Sequence, residues 1–110
     1  MDGIPEIGPT ELKERMDRGD PIILVDVREA MEIEIADLPQ YDPLRIPVAE
    51  FVNRMDELDR DAEIVVYCRS GGRSGWAIAQ LLDAGYDRVA NLRGGILRWR
   101  IEVDPSLTAY

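Results

Sequence analysis

Histidine is absent from all 110 residues. That absence excludes the Cys-His and Ser-His pairs that commonly activate a nucleophile. Cysteine occurs once, at Cys68. No internal disulfide can form, and a reducing compartment fits. One cysteine without histidine also falls short of a zinc ligand set. There is no apolar run of membrane-spanning length and no signal-peptide pattern at Met1. The expectation is a soluble cytoplasmic protein. Basic residues are few: 13 Lys and Arg face 22 Asp and Glu, leaving a net charge of -9. That balance disfavours nucleic acid and membranes as partners. Internal repeats and low-complexity segments are missing as well.

What is present reads as one domain over residues 1–110, with 1–7 a lead-in and 104–110 a tail. The 45% hydrophobic and 32% charged balance is ordinary for a globular chain. "GPTELKERMDRGD" predicts a short helix with Leu12 and Met16 on one face and Gly19 as its stop. "PIILVDV" (Pro21 to Val27) predicts a buried strand with Asp26 at its carboxyl end. Three prolines break up "REAMEIEIADLPQYDPLRIPV" into a helical turn, a loop and a brief strand at Arg45–Ile46. "VAEFVNRMDELD" places Val48, Phe51, Val52, Met55 and Leu58 on one helical face. "EIVVY" (Glu63 to Tyr67) predicts a second buried strand. The helix "RSGWAIAQLLDAG" follows, with Ala77, Ile78, Leu81 and Leu82 inward and Gly85 as its cap. "RVANL" predicts another strand and "GGILRWRIEV" a last helix. Alternating strands and helices imply an α/β domain with a mostly parallel sheet. Ligands in such sheets sit beyond the strands' carboxyl ends, where Asp26 and Cys68 both fall.

Cys68 is followed by "RSGGRS", a tight loop between strand and helix. Such a junction gathers main-chain N–H groups and the positive end of a helix dipole at one point. Gly71 and Gly72 loosen the backbone there, and Arg69 and Arg73 add positive charge. All of this favours thiolate over thiol, and reactive thiols sit in electropositive, partly exposed places. Two chemistries use such a thiolate: phosphate-ester cleavage through a cysteinyl phosphate, and sulfur transfer through a persulfide. Four residues separate Cys68 from Arg73, one fewer than in the Cys-x5-Arg phosphatase signature. The shorter ring favours a single added sulfur over a phosphate.

The segments "LVDVRE", "RIPVAEF", "IVVYCRSGGRS", "AIAQLLDAGY" and "NLRGGILRW" together resemble a rhodanese domain over nearly the whole chain. The resemblance implies a three-layer α/β fold with a central, mostly parallel five-stranded sheet flanked by helices. It also implies a sulfurtransferase whose cysteine, here Cys68, carries sulfane sulfur as a persulfide. The amides from Arg69 through Ser70, Gly71, Gly72 and Arg73 to Ser74 would hold its terminal sulfur. Donors of the family type are thiosulfate or a persulfidated protein. "EIADLPQYDPLRIPVAEF" and "VDPSLTAY" further resemble the C-terminal rhodanese domain of adenylyltransferase–sulfurtransferases of the MoeB/MOCS3 type. That likeness implies a ubiquitin-like sulfur carrier or an E1-like adenylyltransferase as partner. No cofactor and no metal are called for.

Asp26 and Arg28 read as support beside the cysteine loop, the bland alternative being a strand-end turn with a surface ion pair. Arg69 reads as a donor-binding cation. Arg73 opens a helix against its dipole, which points to function or to an acidic neighbour. Ser70 stands where some thiosulfate-using relatives carry a basic residue. Ser74 caps the helix or donates to sulfur. Gly94-Gly95 makes a close turn, Trp99 belongs to the core, and Trp76 lies at the pocket mouth or on the surface. The acidic tracts Glu32–Glu34 and Asp56–Asp61 read as solvated faces. A Cys-dependent phosphatase or arsenate reductase and a non-catalytic binding module remain as alternatives.

Overall fold

The computed structural model describes residues 3–110. Met1 and Asp2, the start of the expected lead-in, lie outside the described residues. The strands are β1 (Glu6–Ile7), β2 (Ile22–Asp26), β3 (Leu44–Arg45), β4 (Glu63–Tyr67) and β5 (Val89–Leu92). The helices are α1 (Pro9–Asp17), α2 (Ala30–Ile35), α3 (Phe51–Arg54), α4 (Gly72–Asp83) and α5 (Gly95–Glu102). All five strands join one sheet in the order β1-β5-β4-β2-β3, and every pair is parallel.

The two apolar runs form the centre. β2 and β4 pair in register from Ile22↔Glu63 to Asp26↔Tyr67. A parallel strand with helices on both sides is apolar on both faces, which is why these runs do not alternate with polar residues. Successive side chains of β4 go to opposite cores. Ile64 and Val66 pack with Phe51, Ile78 and Leu81, while Val65 and Tyr67 pack with Leu12, Ile96 and Trp99. Trp99 is a core residue, 1% exposed.

Several expectations shift. The lead-in holds a strand: Ile7 pairs with Leu92 and is buried. Two residues show no period, so only their partner on β5 makes them a strand. The third strand is Leu44–Arg45, one residue earlier than expected. The helix expected over 48–58 is α3 flanked by 3-10 turns at Val48–Glu50 and Met55–Glu57. A turn of three residues sets Phe51 directly after Val48 in phase. Val52 is thereby rotated out and stands 49% exposed. Leu82 lies on the rim of α4, about 100° from Leu81, and is 36% exposed rather than inward. The tail is not loose either: Tyr110 bonds to Arg28, Glu32 and Arg69.

The start of α5 touches the loop after β4. The Ile96 amide donates to the Cys68 carbonyl at 3.0 Å and the Leu97 amide to the Arg69 carbonyl at 3.1 Å. Gly95 makes this approach possible. Its φ is +63°, and a Cβ there would lie 2.4 Å from the Arg69 carbonyl oxygen. Gly95→Ala therefore combines left-handed strain with a backbone overlap, and urea unfolding should show a loss of about 2–6 kcal/mol, each effect being of order 1–3. A loss below about 1 kcal/mol would mean that the two segments part easily.

Candidate active site

Residues 64, 66 and 68 fall on one side of β4 and its continuation. Cys68 thus extends the inward row of Ile64 and Val66 and belongs to the same core. It is 1% exposed, more enclosed than the partly exposed setting expected of a reactive thiol. The chain then reverses through Arg69–Gly71 into α4. Gly71 takes a φ of +111°, which lets its amide turn back toward the thiol.

Hydrogen-bonding groups converge on Cys68 Sγ. The amide of Gly71 lies at 3.1 Å, that of Ser74 at 3.4 Å, and Ser74 Oγ at 3.3 Å. The Ser70 amide faces it too. The hydrogen bonds thus come from the Gly71 and Ser74 amides, not from those of Arg69, Gly72 or Arg73. Gly72 instead opens α4. Burial pushes the thiol up, but the bonds from Ser74, Gly71 and Ser70 outweigh it, so Cys68 ionises below its ordinary value.

Buried Asn91 holds this arrangement together. Its Nδ2 donates to the Gly71 carbonyl at 3.1 Å, which fixes its Oδ1 toward Ser74 Oγ at 2.6 Å. The serine has one hydroxyl proton. While it goes to Asn91, the thiol S–H can donate to Ser74 Oγ; once Cys68 ionises, the hydroxyl can turn to the sulfur. Asn91 stood in the sequence inside a strand pattern, where nothing but its polarity at a buried register marked it.

Neither arginine is among the hydrogen-bond partners of the thiol. Arg73 forms a two-pronged pair with Glu32, both contacts at 2.7 Å. The acidic neighbour that its helix-opening position called for is therefore Glu32, and this residue is no solvated face. Arg69 Nε donates to the main-chain oxygen of Tyr110 at 2.6 Å, as does its Nη2, and the guanidinium lies over the Tyr110 ring at 5.2 Å. The Tyr110 hydroxyl donates to Glu32 at 3.0 Å and accepts from Arg28 at 3.1 Å.

Asp26 and Arg28 are buried, 0% and 1% exposed, so their pair is not a surface one. Arg28 donates from its amide, Nε and Nη2 to Asp26, and from Nη1 to the Ala36 carbonyl. Burial opposes its charge, yet the bonds to Asp26 and Tyr110 hold it above the ordinary guanidinium value. Asp26 also accepts from Arg45 at 2.5 Å and from Tyr67 at 3.1 Å. None of these bonds reaches the cysteine loop. They brace the carboxyl ends of β2 and β4.

A hollow of about 160 Å³ beside the loop is lined by Ser70, Gly71, Gly75 and Asn91 among others. A second, of about 290 Å³, runs along Ser70, Leu97, Arg98 and Ile101. A third of similar size lies at the amino ends of β4 and β5, the wrong end of the sheet for this thiol. Trp76 is 41% exposed on α4. Among the described residues no group of three or more His, Cys, Asp or Glu could hold a metal ion, and no helix is long and apolar enough to cross a membrane.

A thiol held by main-chain amides at a strand–helix junction defines a parallel α/β protein built around one cysteine loop. The chain belongs to the rhodanese-like domain family, whose model matches residues 8–102. It is 42% identical to a sulfurtransferase of Allochromatium vinosum, covering 87% of this chain and 88% of that one. It is 34% identical to a putative sulfurtransferase, YtwF, of Bacillus subtilis, covering 93% and 96%. Similarity at 30% identity extends to a probable adenylyltransferase/sulfurtransferase, MoeZ, of Mycobacterium tuberculosis, covering 94% of this chain but 26% of that one. Among solved structures, a rhodanese-related protein from Thermoplasma volcanium superposes with a TM-score of 0.80 at 27% identity, over 90% of this chain and 93% of that one. These relatives support a sulfurtransferase as the general class of activity.

The Glu32 carboxylate can be tested in solution. Arg73 above all holds it at about 2, against an ordinary 4.5. A carboxylate depressed on folding stabilises the fold above its unfolded value, and that stability is lost as pH falls toward the folded one. Between 4.5 and about 2, urea midpoints of the wild type should fall more steeply than those of Glu32→Gln. Parallel slopes would mean that the Arg73 pair does not persist in solution.

Proposed function

We propose that this protein is a sulfurtransferase that works through a persulfide on Cys68. The observation that carries the reading is the convergence of the Ser70, Gly71 and Ser74 amides and the Ser74 hydroxyl on one sulfur, in a chain without histidine. The thiolate attacks the sulfane sulfur of a donor. A bond forms between Sγ and that sulfur, the donor's bond to it breaks, and the donor leaves with the electron pair. An acceptor nucleophile then attacks the outer sulfur, and Cys68 departs as thiolate. The amides that hold the thiolate also stabilise it as leaving group in the second step.

A phosphatase reading has less support. A phosphate needs an arginine clamp, and Arg73 is committed to Glu32. On the acceptor side, the likeness to MoeZ favours a ubiquitin-like sulfur carrier or its E1-like adenylyltransferase. A relative of Bacillus subtilis, 34% identical over 87% of this chain and 51% of its own, is itself called a putative sulfur carrier protein, YrkF.

Intact-mass measurement after incubation with thiosulfate or a small persulfide should show the gain of one sulfur atom. Cyanide should remove it, and Cys68→Ala should never acquire it. No gain with any donor would sink the reading. A second measurement tests the cradle: the pH midpoint of iodoacetamide alkylation should lie below that of an ordinary thiol in wild type and higher in Ser74→Ala. An unchanged midpoint would remove the hydroxyl from the account.

A further inference from the structure

The sulfur site lies between two arginines, and both are spoken for. Arg73 is held by Glu32 through both terminal nitrogens. Arg69 is held by the main-chain oxygen of Tyr110, with the ring beneath it. The two holders are joined, because the Tyr110 hydroxyl donates to Glu32 Oε1. The third cation nearby, Arg28, is buried on Asp26 and also bonds Tyr110. Ser70, between Arg69 and Gly71, is neutral. The two arginines of the loop offer an approaching dianion no free fork, on a protein that already carries a net charge of -9. Arg93 and Arg98, which line the hollow beyond Ser70, pair with Glu6 and Glu102 through Nε.

We propose that Tyr110 and Glu32 are specificity-determining residues: by occupying Arg69 and Arg73 they select donors that present sulfur as a persulfide over sulfur oxyanions such as thiosulfate. The inference rests on the sulfurtransferase reading and names its donor class. With a persulfide R–S–S⁻, protonated to R–S–SH before attack, the Cys68 thiolate takes the outer sulfur. One S–S bond forms, one breaks, and R–S⁻ leaves, with no oxidant or reductant needed. With thiosulfate the same attack expels sulfite, whose two negative charges have to be held as it departs. That holding is the role of a free arginine fork, and neither arginine of the loop offers one.

The test compares the full chain, Tyr110→Ala, a chain ending at Leu107, and Glu32→Gln, each with thiosulfate and with glutathione persulfide. Tyr110→Ala removes the ring and hydroxyl, whereas the shorter chain also removes the main-chain oxygen that holds Arg69. In the shorter chain the KM for thiosulfate should fall about tenfold, the size of one charge-assisted hydrogen bond regained. Tyr110→Ala and Glu32→Gln should lower it less. kcat/KM for glutathione persulfide should stay near the wild-type value in all four. A thiosulfate KM that does not move, or a rise of both donors in parallel, overturns the proposal. Calorimetric binding of thiosulfate to Cys68→Ala, with and without residues 108–110, reads the same effect without turnover. Tighter binding in the shorter chain supports the closed-arginine account even if no persulfide forms, and equal binding overturns it.

Discussion

Two hydrogen bonds from α5 to the cysteine loop set the rest of the site. In a trans peptide the carbonyl and the N–H point in opposite directions. The Leu97 amide pulls the Arg69 carbonyl outward, so the Ser70 amide in the same peptide unit must turn the other way, toward Sγ. The Gly71 amide follows because its residue takes a conformation that side chains resist. The inward-facing amides are thus a consequence of where α5 begins. They need no charged side chain to form.

This construction explains how a thiol can be both buried and acidic. Burial alone would keep Cys68 protonated. Main-chain donors and a serine hydroxyl reverse that within a core that excludes water, where each bond to a charged sulfur is stronger than at a surface. The arginines act at one remove. Glu32 gathers Arg73, Tyr110 and the amide of Glu29, and Asp26 gathers Arg28, Arg45 and Tyr67. These two carboxylates join the carboxyl ends of the central strands to α2, α4 and the tail.

Much of the fold was legible in the chain, for local reasons. IILVD and EIVVY are apolar and β-branched, the pattern of strands covered on both faces. Leu12, Ile78 and Leu81 recur at helical spacing. Cys68 stood out because glycines, arginines and a helix start surround it in sequence. Less legible were features that need a distant partner. Ile7 is a strand residue only through Leu92. Val52 and Leu82 sat in plausible phase until 3-10 winding and the rim of α4 turned them out. Glu32 looked like one more acidic surface residue until α2 carried it beside Arg73, 41 positions away. Asn91 gave no sign that it would hold Ser74 and Gly71 in place.

By itself the sequence determined the strand–loop–helix unit that carries the only cysteine, and excluded histidine as its activating base. Those properties are local: residue type, spacing and backbone freedom act over a few positions. The tertiary structure alone decided which loop amides reach the sulfur, and that Arg69 and Arg73 are bound by Tyr110 and Glu32. Side-chain charge is written in the sequence, but what neutralises it depends on groups brought within hydrogen-bond reach only by the packing of the sheet, α2 and the tail.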